Sequence, residues 1–423
     1  MTTLPPAAPP QRHGLPAWAE ELVTLYESNA ASQFVVYGNV EDRLRVPGPE
    51  RGDGSTGDRL ESLKRFLLEV LLPGFEVVLS YDVGNGIRVE RGGDTFADWP
   101  PAKEGQTLPK TPHPAIETLT RYLRYVANLG NLTGRAPSVA VLVRGAHLVA
   151  PAESWGSYET NAVAMLLRDW ALDPAFVPHP IVSFLVTENL HDLHPLLQGS
   201  PRAAAVKIPL PSTDELARGL AVLAPRVPTA LGELVRELPT VAGELTGASL
   251  HAVEKLLTIK EYKKEPLSPR DLVAVKKGIV EEEAGGLIEF VRSSHTLDDY
   301  ASPEPLKRWL RQDLELWRKG EIRALPKGYL FCGPVGTGKT FLAECLAGEA
   351  GVPVVVLKNF RDKWVGTTEG NLEKIFRLLQ ALGRCFVFVD EADQALGQRD
   401  SGAGDSGLSG RVYSMIAQEM SCS

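Results

Sequence analysis

The chain has 423 residues and a formal net charge of −8, with 43% hydrophobic and 23% charged residues. This length allows two or three domains with their own cores, and the acidic balance argues against a nucleic-acid partner. No apolar run approaches the roughly 18 residues of a membrane span, and the Pro- and Ala-rich start lacks the apolar segment of a signal peptide. We therefore expect a cytoplasmic protein without a membrane partner. Its four cysteines are too scattered for a disulfide framework or a zinc site, and three lie in apolar stretches, where we expect buried thiols.

The first half of the chain alternates predicted strands with predicted helices. Strands are expected at 34–37, 77–79, 139–143 and 181–186, helices at 18–26, 60–71, 119–130 and 166–170, and a long surface loop at 92–114. Strands that alternate with helices build a mainly parallel sheet with helices on its faces. The predicted fold class is therefore α/β.

The pattern becomes helical from Asp214 to Glu283, and a second α/β unit begins near Asp298. The acidic run that ends at Glu283 and the pair Gly285-Gly286 indicate a domain edge. We expect an N-terminal extension with the first helix at 1–30, an α/β domain at 31–213, a helical domain at 214–285 and the second α/β domain at 286–423.

A phosphate-binding loop follows the apolar stretch 329–332, which we predict to be a strand. The segment 333–340 reads G-x-x-x-x-G-K-T, and a helical stretch lies directly behind it. Glycines let the backbone curl around phosphate groups, and a helix N-terminus adds its positive end. Lys339 is expected to contact the β- and γ-phosphates of ATP and to act in catalysis, and Thr340 to hold Mg²⁺. A glycine-rich turn with a chance lysine is the alternative, but it needs neither the strand nor the helix. The predicted nucleotide contacts are Gly333, Pro334, Val335, Gly336, Thr337, Gly338, Lys339, Thr340 and Phe341.

An acidic pair after a second buried strand completes the predicted nucleotide site. The apolar run 385–389 ends in Asp390-Glu391. Asp390 is expected to hold Mg²⁺ and Glu391 to polarise the attacking water as a catalytic residue. An acidic pair alone also fits a solvated turn, but a doubly wound sheet brings both strand ends to one edge.

Residues from about 298 to 420 resemble the large subdomain of an AAA-type P-loop ATPase. The resemblance is carried by the phosphate loop, by 363–372, and by Asp390-Glu391-Ala392-Asp393 followed by Gln398-Arg399. It implies a doubly wound parallel sheet and ATP-driven work in a homo-oligomeric ring, for which six subunits are expected.

The resemblance also implies a loop that faces the pore of the ring and grips a protein substrate. Lys363, Trp364, Val365 and Gly366 match its aromatic–hydrophobic–glycine pattern. The alternative is that Trp364 is a core aromatic residue. Asp390 to Asp393 also spell a helicase motif, but the spacing from the phosphate loop and the lack of a basic, aromatic-laced stretch argue against a nucleic-acid motor.

The segment from about Phe34 to Glu283 resembles an AAA module that has lost its chemistry, as in tandem AAA proteins. Arg144-Gly145 stands where the acidic pair belongs, and Gly38-Asn39 follows the first strand without a Gly-Lys-Thr sequence. Residues 245–250 resemble the helical lid of the family. A generic α/β domain remains the alternative. In both cases we expect no ATP hydrolysis by this half.

The family's module continues beyond the part seen here, with a sensor residue, arginine fingers and a lid, so we expect the second module to be incomplete in this chain. The leading hypothesis is an ATPase that remodels or threads a protein. The alternative is a nucleotide-gated scaffold with little turnover, which binds a protein through its inactive first half. The sequence does not identify the protein substrate.

Overall fold

The computed structural model describes most of the chain up to residue 267 and selected parts beyond it. The described ranges are 14–48, 57–105, 107–152, 157–267, 288–291, 295–301, 303–319, 321, 326, 328–334, 336–350, 354–357, 375–376, 378–379 and 385–389. Contacts divide the chain into two compact units, residues 1–242 with 249–267 and residues 243–248 with 268–423. The boundaries of the four predicted domains stay predictions.

The first unit is built on a six-stranded sheet. In chain order its strands and those of a separate two-stranded ribbon are β1 (Gln33–Gly38), β2 (Arg43–Val46), β3 (Arg59–Ser62), β4 (Val77–Asp82), β5 (Gly86–Arg91), β6 (Val139–Arg144), β7 (Ile181–Val186) and β8 (Ala203–Ile208). The sheet order is β5-β4-β6-β7-β1-β8, and only β5 is antiparallel to its neighbour. The four predicted strands are confirmed, and so is the α/β fold class.

Helices cover both faces of this sheet, because alternate side chains of each strand enter opposite cores. Along β6, Val141 and Val143 belong to one core, and Ala140 and Leu142 to the other. The helices are α1 (Ala17–Glu27), α2 (Leu63–Phe66, continued by a π-turn over Leu67–Leu71), α3 (Gly93–Ala97), α4 (Pro100–Lys103), α5 (Pro112–Thr133), α6 (Ala146–Val149), α7 (Tyr158–Leu172) and α8 (Pro195–Gln198).

Two of the sequence predictions for this unit are wrong. The region 92–114 is not a long surface loop, because α3 and α4 bury Phe96 and Trp99 against Tyr122, with ring centroids 4.9 and 5.5 Å from that of the tyrosine. The helix predicted from residue 60 begins at Leu63 instead. The Ser62 hydroxyl caps it by accepting from the Arg65 N–H, and residue 60 belongs to β3.

A helical part follows β8, and all of it except residues 243–248 belongs to the same unit. It contains α9 (Thr213–Leu223), α10 (Pro228–Leu231), α11 (Leu238–Glu244) and α12 (Leu250–Lys263). Along α12, Glu261 accepts from the N–H groups of Thr229 and Ala230 at 2.7 and 2.9 Å, which supplies acceptors at the start of α10. The predicted helical region is confirmed to residue 263, and 268–283 lies outside the described residues.

The described part of the second unit has a three-stranded sheet and two long helices. They are β9 (Ile288–Val291), α13 (Glu304–Arg318), α14 (Lys339–Ala350), β10 (Val354–Leu357) and β11 (Phe386–Phe388). The sheet order is β11-β10-β9, with β10 and β11 parallel. Leu310 and Leu314 of α13 pack with Leu342, Cys345 and Leu346 of α14 in one core.

The strand predicted at 329–332 forms no ladder with any described strand. Its side chains still alternate, since the Tyr329 and Phe331 rings are stacked with centroids 6.2 Å apart, whereas Leu330 is 80% exposed. Cys332 is exposed as well, against our expectation, while Cys345 is buried. None of the helices in the described part of the chain combines the length and the apolar character that membrane crossing requires.

Gly130 provides a test of the packing around α5, because this helix continues past it to Thr133. A Cβ at Gly130 would lie 2.7 Å from His179 Cε1 and 2.8 Å from Ala136 Cβ. In Gly130→Ala, steric overlap should lower the free energy of unfolding by about 1–3 kcal/mol. The higher helix propensity of alanine should offset about 1 kcal/mol of that loss. Gly243→Ala, with no atom within 4 Å of the new Cβ, is the control and should be neutral or stabilising in urea denaturation. Equal stabilisation by both substitutions would contradict the packing argument.

Candidate functional site

The predicted phosphate loop has the backbone of an anion-binding turn. Gly336 and Gly338 have φ of +84° and +77°, in the left-handed region where a side chain is strained. α14 begins at Lys339, directly after these turns. The first amides of a helix lack acceptors within the helix, and the helix dipole places positive charge there. The loop and the start of α14 therefore suit a bound phosphate group.

The Lys339 side chain folds back onto the phosphate loop that precedes it. Its ammonium donates to the carbonyl oxygens of Gly333 and Pro334, each at 2.9 Å. The Thr337 hydroxyl also donates to the Pro334 carbonyl, at 2.9 Å. The side chain of Thr340 is exposed, so its hydroxyl is accessible to a metal ion. Lys339 and Thr340, which the sequence assigned to phosphate and metal, are the first two residues of α14, and their roles stay predictions.

Tyr300 braces the loop from outside the motif. Its hydroxyl donates to the Thr337 carbonyl at 3.2 Å, and a Cβ at Gly338 would come within 3.3 Å of its ring. The Phe341 ring lies between Tyr300 and His295, with centroid distances of 6.2 and 5.1 Å. No local pattern predicts this contact, because Tyr300 and Thr337 are 37 positions apart.

The other end of α14 is fixed by an ion-pair network. Arg311 of α13 donates to both Glu349 oxygens, at 2.5 and 3.3 Å, and also to Asp298 at 2.7 Å. The Leu297 N–H donates to Glu349 at 2.9 Å. Burial acts to raise the pKa of Glu349, but the hydrogen bonds from Arg311 and Leu297 outweigh it and hold that pKa below its usual value. The turn 297–300 therefore contacts α14 at both ends, through Tyr300 at the phosphate loop and through Leu297 at Glu349.

A cavity of about 600 Å³ borders the loop. One part of its wall is aromatic, with the Trp309 and Tyr329 rings edge to face at 5.7 Å, and Tyr329 donates to Asp313 at 2.7 Å. Burial and this carboxylate raise the pKa of Tyr329, so the phenol stays protonated. The residues lining the cavity are Tyr300, Leu306, Trp309, Pro326, Gly328, Tyr329, Leu330, Phe331, Cys332, Gly333, Pro334, Thr337, Lys339 and Leu342.

The remaining predicted site residues lie outside the described residues. They are Val335, the pore-loop residues Lys363, Trp364, Val365 and Gly366, and the acidic pair Asp390 and Glu391. β11 ends two residues before Asp390, so the strand predicted to carry the acidic pair is present. β10 lies parallel to it. The roles of these residues stay predictions.

The corresponding sheet edge of the first unit has no such loop. At the end of β6, Arg144 forms an ion pair with Asp82 at 3.9 Å. After β7, the Asn189 side chain donates to Asp192 at 3.0 Å and closes a turn. No cluster able to hold a metal ion occurs among the residues that the structure describes.

Two family models match this chain. Residues 6–209 match the model "AAA+ chaperone, N-terminal Rossmann-like domain", and residues 329–422 match "ATPase family associated with various cellular activities (AAA)". The first match covers the sheet of the first unit, and the second contains the phosphate loop.

Curated relatives are similar to parts of the chain. A cell division cycle protein 48 homolog of Archaeoglobus fulgidus is 30% identical over 201 residues, 45% of this chain and 26% of that protein. The ATP-dependent zinc metalloprotease FtsH 1 of Symbiobacterium thermophilum is 36% identical over 132 residues, 30% of this chain and 22% of that protein. The ATP-dependent zinc metalloprotease FtsH of Acidothermus cellulolyticus is 45% identical over 83 residues, which are 19% of this chain and 12% of that protein. The chain thus spans about a quarter or less of the length of these relatives.

The Arg311–Glu349 pair can be tested by removing its negative charge. Glu349→Gln keeps the shape of the side chain, and we expect a loss of about 1.5–3 kcal/mol in the unfolding free energy of the second unit at neutral pH. Since the folded pKa of Glu349 is lowered, this stabilisation is present above the unfolded pKa of about 4.3 and is lost as pH falls through the folded value. Urea denaturation of the two proteins should therefore converge in acid. Glu344→Gln, earlier on the same helix, is the control, and an equal loss in it would contradict the specific pair.

Proposed function

We propose, for a chain that carries an AAA+ chaperone N-terminal domain and an AAA-type P-loop ATPase domain, that ATP bound at the 333–340 loop is hydrolysed to remodel a protein partner. The observation that carries this proposal is the phosphate loop itself. Two left-handed glycines lead directly into the helix that begins with Lys339. ATP binding follows from these local groups, which fit a triphosphate by charge and backbone conformation.

The hydrolytic step that we propose uses residues on both sides of the site. Lys339 orients the phosphates, and the oxygens of Thr340 and Asp390 are ligands that Mg²⁺ accepts. Mg²⁺, when bound with the nucleotide, neutralises charge on the transferred phosphate. Glu391 takes the proton of the attacking water as general base. The AAA match over 329–422 includes all four residues and supports their assignment.

The mechanical part of the proposal is protein remodelling by a ring of identical subunits, for which six are expected. The similarity to a cell division cycle protein 48 homolog and to FtsH proteases supports an ATP-driven action on proteins. Trp364, between Lys363 and Val365-Gly366, is the residue that we propose grips the polypeptide. We further propose the cytoplasm as the compartment, since the composition is that of a soluble protein and Cys332 and Cys345 are free thiols.

Nucleotide binding and turnover separate the two functions considered for this chain. Lys339→Ala should weaken ATP binding by more than about tenfold, because it removes a charged contact to the phosphates. Lys319→Ala, which changes an exposed lysine of the same unit, is the control and should bind ATP normally.

Glu391→Gln should keep ATP binding and lose about 10²- to 10⁴-fold in turnover, the usual contribution of a general base. Calorimetric titration and phosphate release measure the two quantities. Binding without turnover in the unaltered chain would favour the nucleotide-gated scaffold, and no binding would refute the proposal.

The role of Trp364 is tested on an unfolded model protein as substrate. Trp364→Ala should abolish substrate-stimulated ATP turnover and keep ATP binding, because a pore residue contacts the polypeptide and not the nucleotide. Trp364→Phe retains an aromatic ring and should retain most of the stimulation. If Trp364→Ala instead lowers the melting temperature and ATP binding together, Trp364 is a core residue and the pore assignment is wrong.

A further inference from the structure

A buried carboxylate stands at the end of β1 in the first unit, on the turn that connects β1 to β2. The Asp42 side chain is 4% exposed. It accepts from the N–H groups of Leu250 and His251 at 3.1 and 2.7 Å, from the Arg43 N–H at 2.6 Å and from the Asn39 amide at 2.7 Å. All four neighbours are donors, so a proton on either carboxylate oxygen would have no acceptor among them. Burial outweighs these donors and raises the pKa of Asp42 above its usual value. The geometry of the site, in which every neighbour donates, identifies the ionised form as the one that fits.

Two of these donors are the first amides of α12, which lies 208 positions away in sequence. The third amide of the helix, that of Ala252, donates to the Ser249 hydroxyl at 3.1 Å. The first turn of α12 is therefore satisfied by one residue of its own and by a carboxylate from the edge of the sheet. A helix N-terminus is a site that favours an anion, and here the protein supplies that anion itself.

Further contacts hold α12 in the same position. Glu254, one turn into the helix, pairs with Arg43 at 3.1 Å and with Arg226 at 3.3 Å. Leu250 packs so closely on α9 that a Cβ at Gly219 would lie 2.3 Å from its Cδ2 atom. The end of β1 is closed as well, since the Asn39 N–H donates to the Ile208 carbonyl of β8 at 2.9 Å. Asp42 and Glu254 thus attach α12 to the turn after β1 and to β2, and Leu250 packs α12 against α9 within the helical part.

We propose that Asp42 is a built-in substitute for a phosphate group, which holds the helical part of the first unit (residues 213–242 and 249–263) closed on its sheet without nucleotide. In the second unit, the loop after the 329–332 stretch offers the N-terminus of α14 to a phosphate. In the first unit, the turn after β1 fills the N-terminus of α12 with a carboxylate. The closed arrangement of the first unit is therefore permanent and independent of the nucleotide state of the chain.

Anion rescue tests this proposal on the full chain. Asp42→Ala removes the carboxylate and leaves the Leu250 and His251 amides without their acceptor. We expect hydrogen–deuterium exchange in peptides covering α12 to rise about tenfold or more, and added inorganic phosphate to restore part of the protection. Glu254→Ala is the matched control, because it weakens the attachment of α12 without opening an anion position at its N-terminus. Sodium chloride at equal ionic strength controls for general salt effects.

Each outcome decides for or against the substitute. Phosphate protection of Asp42→Ala alone supports it. Equal protection of the unaltered chain, of Glu254→Ala and of Asp42→Ala is the general stabilisation that phosphate salts produce, and it refutes the proposal. Unchanged exchange in Asp42→Ala refutes it as well, and so does faster exchange that phosphate does not slow. Should Asp42→Ala fail to fold, Asp42→Asn takes its place. The amide retains one acceptor oxygen and loses the charge, so α12 should exchange faster while ATP binding at Lys339 is unchanged.

A second measurement uses nucleotide in place of phosphate. In a Lys339→Ala chain, where ATP binding by the second unit should be weakened by more than about tenfold, Mg-ATP at a concentration too low to fill that site should leave the exchange of α12 unchanged. Slower exchange of α12 on adding Mg-ATP to that variant would show that the first unit responds to nucleotide, and would overturn the permanent closure. This result is separate from the proposed ATPase activity, which concerns the second unit alone.

Discussion

The first amides of a helix have no acceptor within the helix. This constraint explains the contacts at the N-terminus of α14 in the second unit and at the N-terminus of α12 in the first. α14 begins directly after two left-handed glycines, and Lys339 lies among the carbonyls of the same loop. α12 begins against a buried carboxylate instead. The same physical requirement is therefore met in the second unit by a loop that can accept a phosphate, and in the first by Asp42. The two helix starts differ in chemistry because the negative charge would come from a bound phosphate at α14 and comes from the protein's own carboxylate at α12.

The surroundings of each helix start match that difference. A carboxylate can be buried as deeply as Asp42 only if both of its oxygens are satisfied, because an unpaired buried charge costs several kcal/mol. Four N–H donors meet that condition. Around Lys339 the side chains are more exposed and the contacts are with backbone carbonyls, which an ammonium can exchange for phosphate oxygens. A tightly packed site is suited to a fixed attachment, and an accessible loop is suited to a ligand that binds and leaves.

The sequence predicted the parts whose signals are local. The apolar runs 139–143 and 181–186 became central strands, because a parallel sheet buried on both faces needs continuous apolar segments. The G-x-x-x-x-G-K-T pattern located Lys339 and Thr340 because it is a contiguous segment whose spacing can be recognised without knowledge of distant contacts. The region 92–114 was predicted wrongly because its Gly, Pro and polar residues hide the two aromatic side chains that α3 and α4 bury. Tyr300 and Asp42 were missed because their partners lie 37 and 208 positions away, and no periodicity records such contacts.

A division of labour between the two units follows from these observations. If the first unit is closed by its own carboxylate, nucleotide can change conformation only in the second. There, one turn links both ends of α14, through Tyr300 at the loop and through Leu297 and Arg311 at Glu349. A shift of the loop on phosphate binding would move Thr337 against Tyr300, and α14 would transmit it to Glu349, since a helix moves as a rigid element.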